Sequence, residues 1–198
     1  GAFSGEATGT RVDAGSDGPG LGSPAVPEPV PAPVPDVVVR RARTRDVRRI
    51  RELVDEYAGT VLLAKETVTL YEAVPEFLVA EVDGTVVGCG ALHVLWEDLG
   101  EIRTVAVSPS VLGRGVGHRI VAALIDGARD LGLERLFVLT FEKQFFARHG
   151  FAEIDGTPVS AEVFAAMLRS YDAGVAEFLD LAHVKPNTLG NVRMLLTL

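Results

Sequence analysis

A strand, a proline, a glycine-rich loop and a helix follow one another between residues 101 and 118, and this segment constrains the fold more than any other. The pattern predicts a strand over 101–107 and a helix over 116–131. The loop between them contains Pro109, Gly113, Gly115 and, just inside the helix, Gly117. Such a loop directs several backbone N–H groups to one point at the positive end of a helix dipole. The segment therefore predicts a site for an anion such as a pyrophosphate.

The composition limits the class of protein that carries this segment. The chain has 198 residues, of which 47% are hydrophobic, and this suits one domain with a sizeable core. A formal net charge of −8 argues against general binding to nucleic acid or to anionic membranes. No apolar run approaches the roughly 20 residues of a membrane span, and no signal peptide is recognisable. The single cysteine, Cys89, indicates a reducing, cytoplasmic environment without an internal disulfide.

The first 36 residues differ in composition from the rest of the chain. Gly, Pro, Ser and Ala dominate them, and prolines recur every two or three residues from Pro24 to Pro35. This composition buries too little apolar surface to offset the entropy of ordering, so a disordered tail is expected over residues 1–36. A docking peptide for a Pro-binding module is the alternative. A folded domain is then expected over residues 37–198.

Strand and helix patterns alternate through that domain and predict an α/β (α+β) fold with a mixed, mostly antiparallel sheet flanked by helices. An Asp83-Gly84 pair between two apolar runs predicts a β-hairpin. Thr44 is expected as the N-cap of the first helix. The predicted strands cover 37–42, 77–82, 85–95, 101–107, 135–140, 151–154 and 193–198. The other predicted helices cover 66–73, 116–131, 143–149 and 161–170.

Two common phosphate loops do not fit the glycine segment. A Walker loop ends in Gly-Lys-Ser/Thr, which is absent here. A Rossmann fingerprint follows the first strand of its unit, whereas three or more predicted strands precede Gly113. Redox chemistry on a dinucleotide and hydrolysis of a nucleoside triphosphate are therefore disfavoured. A plain turn remains the alternative for the glycines themselves.

The hairpin, the glycine loop and the run from Phe145 to Phe151 together resemble the GNAT acetyltransferase superfamily, over about residues 37–155. The resemblance implies a sheet that splays between the strands at 101–107 and 135–140, acetyl-CoA as cosubstrate in the gap, and a homodimer. Backbone groups of Val105 and Val107 would bind the pantetheine arm. The cofactor-binding residues implied are Val105, Ala106, Val107, Leu112, Gly113, Arg114, Gly115, Val116, Gly117, His118, Phe145 and Phe146.

Two positions depart from the family pattern. Leu112 stands where the family has Arg or Gln, although Arg114 supplies a charge nearby. Phe146 stands where the family often has a Tyr that acts as general acid to the leaving thiolate. A phenyl ring cannot donate a proton, so this role passes to another group or to water.

Further segments narrow the resemblance to the acetyltransferase domain of N-acetylglutamate synthases, particularly the short actinobacterial type. They are Leu62 to Lys65, Gly88 to Leu92, Leu136 to Thr140 and Met194 to Leu198. This resemblance implies transfer of acetyl from acetyl-CoA to the α-amino group of L-glutamate, by direct attack in a ternary complex. That reaction is the first step of arginine biosynthesis.

The expected chemistry requires a base, because the attacking amine must be neutral. Glu101 is the expected base, since it begins the strand that runs along the cofactor, where the family's base lies. Thr104 and Thr140 are the expected neighbours that hold a water. A solvated carboxylate at the strand edge is the alternative for Glu101, and threonine suits strands in any case.

A dicarboxylate acceptor requires cations. Lys65 matches the position of a glutamate-binding Arg in the family. Arg103 shares a face with Glu101 and Val105 in a regular strand, so it either pairs with Glu101 or faces the substrate. The full set of expected substrate-binding residues is Lys65, His93, Arg103, Lys143, Asn191 and Arg193. The histidine spacing suits no metal ion, and Cys89 is expected to be a buried, inert thiol.

Two alternatives stay open at this stage. The acceptor can be glutamine, another amine or a protein lysine. The departures at Leu112 and Phe146 also suit a non-catalytic module that senses acyl-CoA or an amino acid.

Overall fold

Seven strands form one sheet in the computed structural model of the protein, which describes residues 36–57, 66–181 and 191–198. The strands are β1 (Val37–Arg41), β2 (Phe77–Val82), β3 (Thr85–Trp96), β4 (Leu99–Val107), β5 (Arg135–Thr140), β6 (Ala152–Glu153) and β7 (Val192–Thr197). The helices are α1 (Val47–Asp55), α2 (Thr67–Glu72), α3 (Val116–Asp130), α4 (Lys143–Ala147), α5 (Ala161–Met167) and α6 (Ala173–Phe178). The sheet order is β1-β2-β3-β4-β5-β7-β6.

The expected α/β fold with a mostly antiparallel sheet is confirmed, because among the described strands only β4 and β5 pair in parallel. β2 and β3 form the predicted hairpin, in which Asp83 and Gly84 have φ values of 49° and 76°, as a type I′ turn requires. β4 starts earlier than expected, at Leu99, because this residue pairs with Trp96 across a second tight turn. α6 was not predicted, since its six residues are too short for a helical period to be recognised.

The expected splay lies between β4 and β5. These strands pair only over Leu99–Glu101 and Arg135–Phe137, and the last pair joins Glu101 to Phe137. Beyond that pair, β4 continues to Val107 and β5 to Thr140 without pairing to each other. The gap opens from Glu101 towards the glycine loop that follows β4.

Apolar side chains cover both faces of the sheet. The α3 face has a core cluster that includes Ile102, Ile120 and Leu136. The opposite face carries two clusters, one under α1 and α2 and one that includes Phe137 and Phe178 beside α6. The side chains of β4 and β5 alternate between the two faces of the sheet. The glycine loop and α3 thus lie on one face and α6 lies on the other.

Two glycines of β3 allow α3 to lie directly against the sheet. A Cβ at Gly88 would lie 2.8 Å from Cδ1 of Ile120, and one at Gly90 would lie 2.8 Å from Cγ2 of Ile120 and 3.0 Å from Leu124. Cys89, between them, is buried on the other face. The Gly-Cys-Gly sequence therefore fixes the approach of α3, and with it the position of the loop that opens this helix.

Asp46, rather than Thr44, organises the start of α1. The prediction of Thr44 as N-cap is wrong, because Thr44–Asp46 form a 3-10 turn ahead of the helix. The Asp46 carboxylate accepts hydrogen bonds from Arg40 at 2.8 and 3.0 Å and from the Arg43 backbone N–H at 2.7 Å. The Arg40 hydrogen bonds, helped by that N–H, hold the pKa of Asp46 below its usual range despite burial.

We expect Asp46→Asn to lower the free energy of unfolding by about 1–3 kcal/mol at neutral pH, since the amide carries no charge and its NH2 group cannot accept the hydrogen bonds that one carboxylate oxygen accepts. The folded-state pKa lies below the unfolded value of about 4, so the carboxylate's contribution is present above that pH. It is lost as the pH falls through the folded-state value. Urea unfolding of both proteins between about pH 7 and pH 2.5 measures this, and a difference that stays constant would contradict the ion pair as its source.

Candidate active site

A cavity of about 650 Å³ occupies the gap between β4 and β5. Its walls are the unpaired parts of these two strands, the glycine loop with the start of α3, and α4. The expected cofactor residues in its lining are Val105, Ala106, Val107, Leu112, Gly113, Gly115, Val116, Gly117, His118, Phe145 and Phe146. Arg114 is exposed and lies outside this lining. The structure thus brings together nearly all of the residues that the loop motif indicated.

The free edge of β4 is defined by its pairing on the other side. The N–H of Ser108 donates to the carbonyl of Val87, so Ser108 and Ala106 turn their backbone groups towards β3. Because these directions alternate along a strand, the backbone groups of Val105 and Val107 face the cavity. The Val107 carbonyl already accepts a hydrogen bond from the Tyr57 hydroxyl at 2.5 Å. An extended ligand in the cavity can therefore form backbone hydrogen bonds with Val105 and Val107, as a neighbouring strand would.

A bulge interrupts β4 beside the cavity. Cys89 pairs with Ala106 but Ala91 pairs with Arg103, so β4 has one more residue than β3 in this stretch. Thr104 accommodates the extra residue by adopting a left-handed backbone conformation, with φ of 58°. This conformation costs a β-branched residue on the order of 1–3 kcal/mol. The bulge reverses the alternation, so Val105 packs with the α3 cluster. The expectation that Val105 shares a face with Glu101 and Arg103 is therefore wrong.

The glycine loop has the geometry that a pyrophosphate needs. Gly113 and Gly115 both have φ of 78°, which other residues rarely adopt. Gly115 is the N-cap residue of α3, a helix of 15 residues, so the N–H groups of its first turn are open at the positive end of the dipole. At Gly117 a Cβ would lie 3.3 Å from the Phe145 ring, so the backbone borders the cavity closely. The residues present therefore fit the pyrophosphate and arm of acetyl-CoA.

Two histidines and a phenylalanine form a cluster on the wall of the cavity. Nδ1 of His118 and Nε2 of His149 are 2.9 Å apart, and the His118 ring stacks on Phe145 with centroids 4.5 Å apart. Burial, and then the charge of a protonated His118, lower the pKa of His149. The neutral form of His149 is thus favoured, and in the 2.9 Å contact one of the two ring nitrogens donates to the other.

Tyr57 and Arg148 are among the lining residues that sequence reasoning did not assign to the site. Tyr57 closes the side of the cavity next to Val107, and burial raises the pKa of its hydroxyl. Arg148 faces the cavity from the end of α4, where it offers a cation that Leu112 does not. Arg148 lies inside the Phe145–Phe151 run that carried the resemblance, so a search of that run for cations could have found it. No local signal indicated Tyr57.

Glu101 lies at the apex of the splay, at the last β4–β5 pair. Its side chain is 8% exposed and pairs with Arg103, whose Nε and Nη2 lie 3.1 and 3.0 Å from Glu101 Oε2. The expected pairing of Arg103 with Glu101 is observed, and Arg103 also lines the cavity. Thr104 lines the cavity near this pair, and Thr140 lines it from β5. The Thr140 hydroxyl accepts a hydrogen bond from the Glu142 N–H at 2.8 Å.

The other expected acceptor residues that the structure describes do not line the cavity. His93 lies 2.8 Å from a Glu76 oxygen, and Lys143 pairs with Glu153 on β6. The Arg193 guanidinium packs over Phe137 and donates to three backbone carbonyls, those of Gly156, Glu177 and Phe178. Asn191 directly precedes β7, and Lys65 lies outside the described residues. Roles of these residues in substrate binding stay predictions.

Residues 36–57, 66–181 and 191–198 contain neither a candidate metal site nor a helix that could span a membrane. There, no three His, Cys, Asp or Glu side chains are grouped to hold a metal ion. No helix in these ranges is long and apolar enough to cross a membrane. Cys89 is fully buried, as expected, and burial raises the pKa of its thiol to about 12, which suits an inert residue.

The family assignment agrees with this geometry. The model of the Acetyltransferase (GNAT) family matches residues 38–153, which is more than half of the chain. The chain therefore belongs to the GNAT acetyltransferase family. It is an acetyltransferase, and its cosubstrate is acetyl-CoA.

Individual relatives extend the similarity over most of the chain. An amino-acid acetyltransferase of Mycobacterium tuberculosis is 70% identical over 164 residues, which are 81% of this chain and 94% of the relative. The crystal structure of Rv2747 from Mycobacterium tuberculosis in complex with CoA and NLQ is 70% identical, with a TM-score of 0.80 over 81% of this chain and 99% of that one. The N-acetylglutamate synthase of Neisseria gonorrhoeae, complexed with coenzyme A and N-acetyl-glutamate, is 27% identical with a TM-score of 0.65. That match covers 82% of this chain and 35% of the Neisseria chain.

Proposed function

We propose that this acetyltransferase is an amino-acid N-acetyltransferase that transfers acetyl from acetyl-CoA to the α-amino group of L-glutamate. The observation that carries the proposal is the position of Glu101, a buried carboxylate at the apex of a splay whose open part is the cofactor cavity. The similarity to an amino-acid acetyltransferase and to an N-acetylglutamate synthase supports the choice of acceptor. The reaction would be the first step of arginine biosynthesis.

The cosubstrate would lie along β4 in the cavity. The N–H groups of the glycine loop and of the first turn of α3 would bind the pyrophosphate, with Arg148 as the nearby cation. The backbone of Val105 and Val107 would hold the pantetheine arm as an added strand. This arrangement would bring the thioester near Thr104 and Thr140, close to the apex. Acetyl-CoA supplies an acyl group that an amine can attack.

The chain's own residues would then control one proton. The neutral amine attacks the thioester carbonyl, so that an N–C bond forms and a C–S bond breaks. Glu101 accepts the proton that the ammonium group loses, through a water held beside Thr104 and Thr140. The attacking nitrogen loses its second proton as the C–S bond breaks, and a water relays a proton from it to the leaving thiolate, since the side chain of Phe146 has none to give.

The acceptor's carboxylates would meet cations. Nη2 of Arg103 is buried and, among the described residues, makes no well-aligned hydrogen bond, although it lies 3.0 Å from Glu101. Arg103 also lines the cavity, and we assign it to the acceptor as a cation. Lys65 and Arg193 are the further cations that we assign to the acceptor. We also infer a cytoplasmic homodimer whose catalytic domain spans residues 37–198.

A thiol-release assay with acetyl-CoA and a panel of amines tests the proposal. The panel contains L-glutamate, L-glutamine, D-glutamate, a polyamine and a lysine-containing peptide. We expect the highest kcat/KM with L-glutamate. High activity on the polyamine or the peptide, without activity on glutamate or glutamine, would overturn the acceptor. If calorimetry showed that acetyl-CoA binds and no amine were acetylated, the result would favour a non-catalytic sensor module. The lack of a proton donor at Phe146 also suits such a module.

A further inference from the structure

Arg103 lies between two carboxylates, one on its own strand and one at the start of α6. Its Nη1 lies 3.0 and 3.1 Å from the two oxygens of Asp172, while Nε and Nη2 lie 3.1 and 3.0 Å from Glu101 Oε2. The Arg103 side chain is 11% exposed, and those of Glu101 and Asp172 are 8% and 33% exposed. The charge of one guanidinium is thus shared by two carboxylates in a poorly solvated place.

The first turn of α6 fixes the outer carboxylate. Asp172 is the N-cap of this helix, and its Oδ1 accepts a hydrogen bond from the Val175 N–H at 3.0 Å. A Cβ at Gly174 would lie 2.8 Å from Cζ and 2.9 Å from both Nη atoms of Arg103. The backbone of α6 therefore lies directly on the guanidinium. This contact leaves Arg103 little freedom to move away from Glu101.

Other charged groups near this chain of contacts come from three further elements. Glu76 precedes β2 and holds His93 of β3 at 2.8 Å, and Arg193 reaches the site from β7. The charge of Glu76 acts on Arg103, and that of His93 acts on Asp172. The charges of Arg193 and Glu101 act on each other. A small cavity of about 40 Å³ separates Glu76 from Arg103 and Asp172. Asp172, the N-cap residue of α6, contacts Arg103 directly.

We propose that Asp172 is a positioning residue that acts on the base Glu101 through Arg103. Asp172 offsets part of the positive charge of the Arg103 guanidinium and fixes the orientation of its plane. Glu101 therefore keeps enough proton affinity to act as a base. Without the charge of Asp172, Arg103 would stabilise the Glu101 carboxylate more strongly and make it a weaker base. This inference rests on the proposed function, because it concerns the base of that reaction.

The variant Asp172→Asn separates charge from structure, since Asn is as good an N-cap as Asp. We expect the acidic limb of the kcat profile to move to lower pH by about half a unit, and kcat at pH 8 to fall about three- to tenfold. The Kd of acetyl-CoA should stay within about twofold, because Asp172 lies outside the lining of the large cavity. Carbon NMR of the Glu101 carboxyl should show its titration moving in the same direction, and this measurement needs no turnover.

Two further variants test the charge of residue 172 and the position of the Arg103 guanidinium separately. Asp172→Glu restores the charge but is a poorer cap, and it should bring the acidic limb back towards the wild-type position. Gly174→Ala keeps every charge and displaces the guanidinium, and it should lower kcat with acetyl-CoA binding unchanged. An unmoved NMR titration in Asp172→Asn, or equal kinetic losses in the Asn and Glu variants, would overturn the role of Asp172. Wild-type protein that binds acetyl-CoA and acetylates no amino acid would instead overturn the proposed function, and the NMR titration would still decide the contact.

Discussion

Glu101→Gln is expected to lower kcat with L-glutamate by about 10²- to 10⁴-fold, the usual contribution of a positioned general base. The amide has nearly the same shape and still accepts a hydrogen bond from Arg103, but it cannot take a proton from the ammonium group of the acceptor. The loss should be largest at neutral and low pH. It should narrow as the pH approaches the pKa of the acceptor's α-amino group, because more of the amine is then already neutral.

Steady-state rates of thiol release between about pH 6 and pH 9.5 measure this effect. The matched control is Glu52→Gln, because Glu52 pairs with Arg49 on the surface of α1 and its side chain is 64% exposed. The control should keep the wild-type rate and profile. An unchanged pH profile in Glu101→Gln would remove Glu101 as the base, whatever the size of the rate loss. The Kd of acetyl-CoA, measured by calorimetry, should change little in either variant.

The fold could be predicted from the sequence because its strongest signals are local. The Asp83-Gly84 turn, the apolar run of β5 and the amphipathic pattern of α3 each depend on neighbours in the chain. The splay was implied by the family resemblance, and the pairing that ends at Glu101 and Phe137 confirms it. α6 escaped prediction because a helix of six residues completes fewer than two turns.

The cofactor side of the site followed from the same local signals, but the bulge did not. The left-handed conformation of Thr104 is a backbone property that a strand-like run of apolar and polar residues does not reveal. Its consequence is large, because a one-residue shift moves every later side chain to the other face. The sequence pattern therefore placed Val105 beside Arg103, whereas the structure packs it against α3.

The acceptor side was harder to predict, because its contacts join distant parts of the chain. Arg103 meets Asp172 across 69 residues, and only the folded sheet brings α6 over β4. Arg193 was expected to meet a substrate carboxylate, yet its guanidinium donates to the last carbonyls of α6 and packs 4.9 Å from the Phe137 ring centroid. A cation's partner is set by tertiary contacts that composition and spacing do not encode.

Gly90→Ala is expected to lower the free energy of unfolding by about 1–3 kcal/mol and to weaken acetyl-CoA binding. Alanine in place of glycine usually stabilises a strand slightly, through the entropy of the unfolded chain. Here a Cβ would lie 2.8 Å from Cγ2 of Ile120. This methyl belongs to a β-branched side chain whose χ1 is nearly fixed in a helix, so it cannot turn away. α3 must then move from β3, and the loop at its start moves with it.

A second substitution tests this cause directly. Leucine has no branch at Cβ, so Ile120→Leu removes the clashing methyl while it keeps the volume of the core. We expect the double variant Gly90→Ala/Ile120→Leu to be more stable than Gly90→Ala alone and to recover acetyl-CoA binding, as measured by urea unfolding and calorimetry. The matched control is Gly127→Ala in α3, where a Cβ meets nothing within 4 Å, and it should raise stability by about 0.5–1 kcal/mol. If the double variant were no better than Gly90→Ala, the close approach of α3 to β3 would not be what positions the cofactor loop.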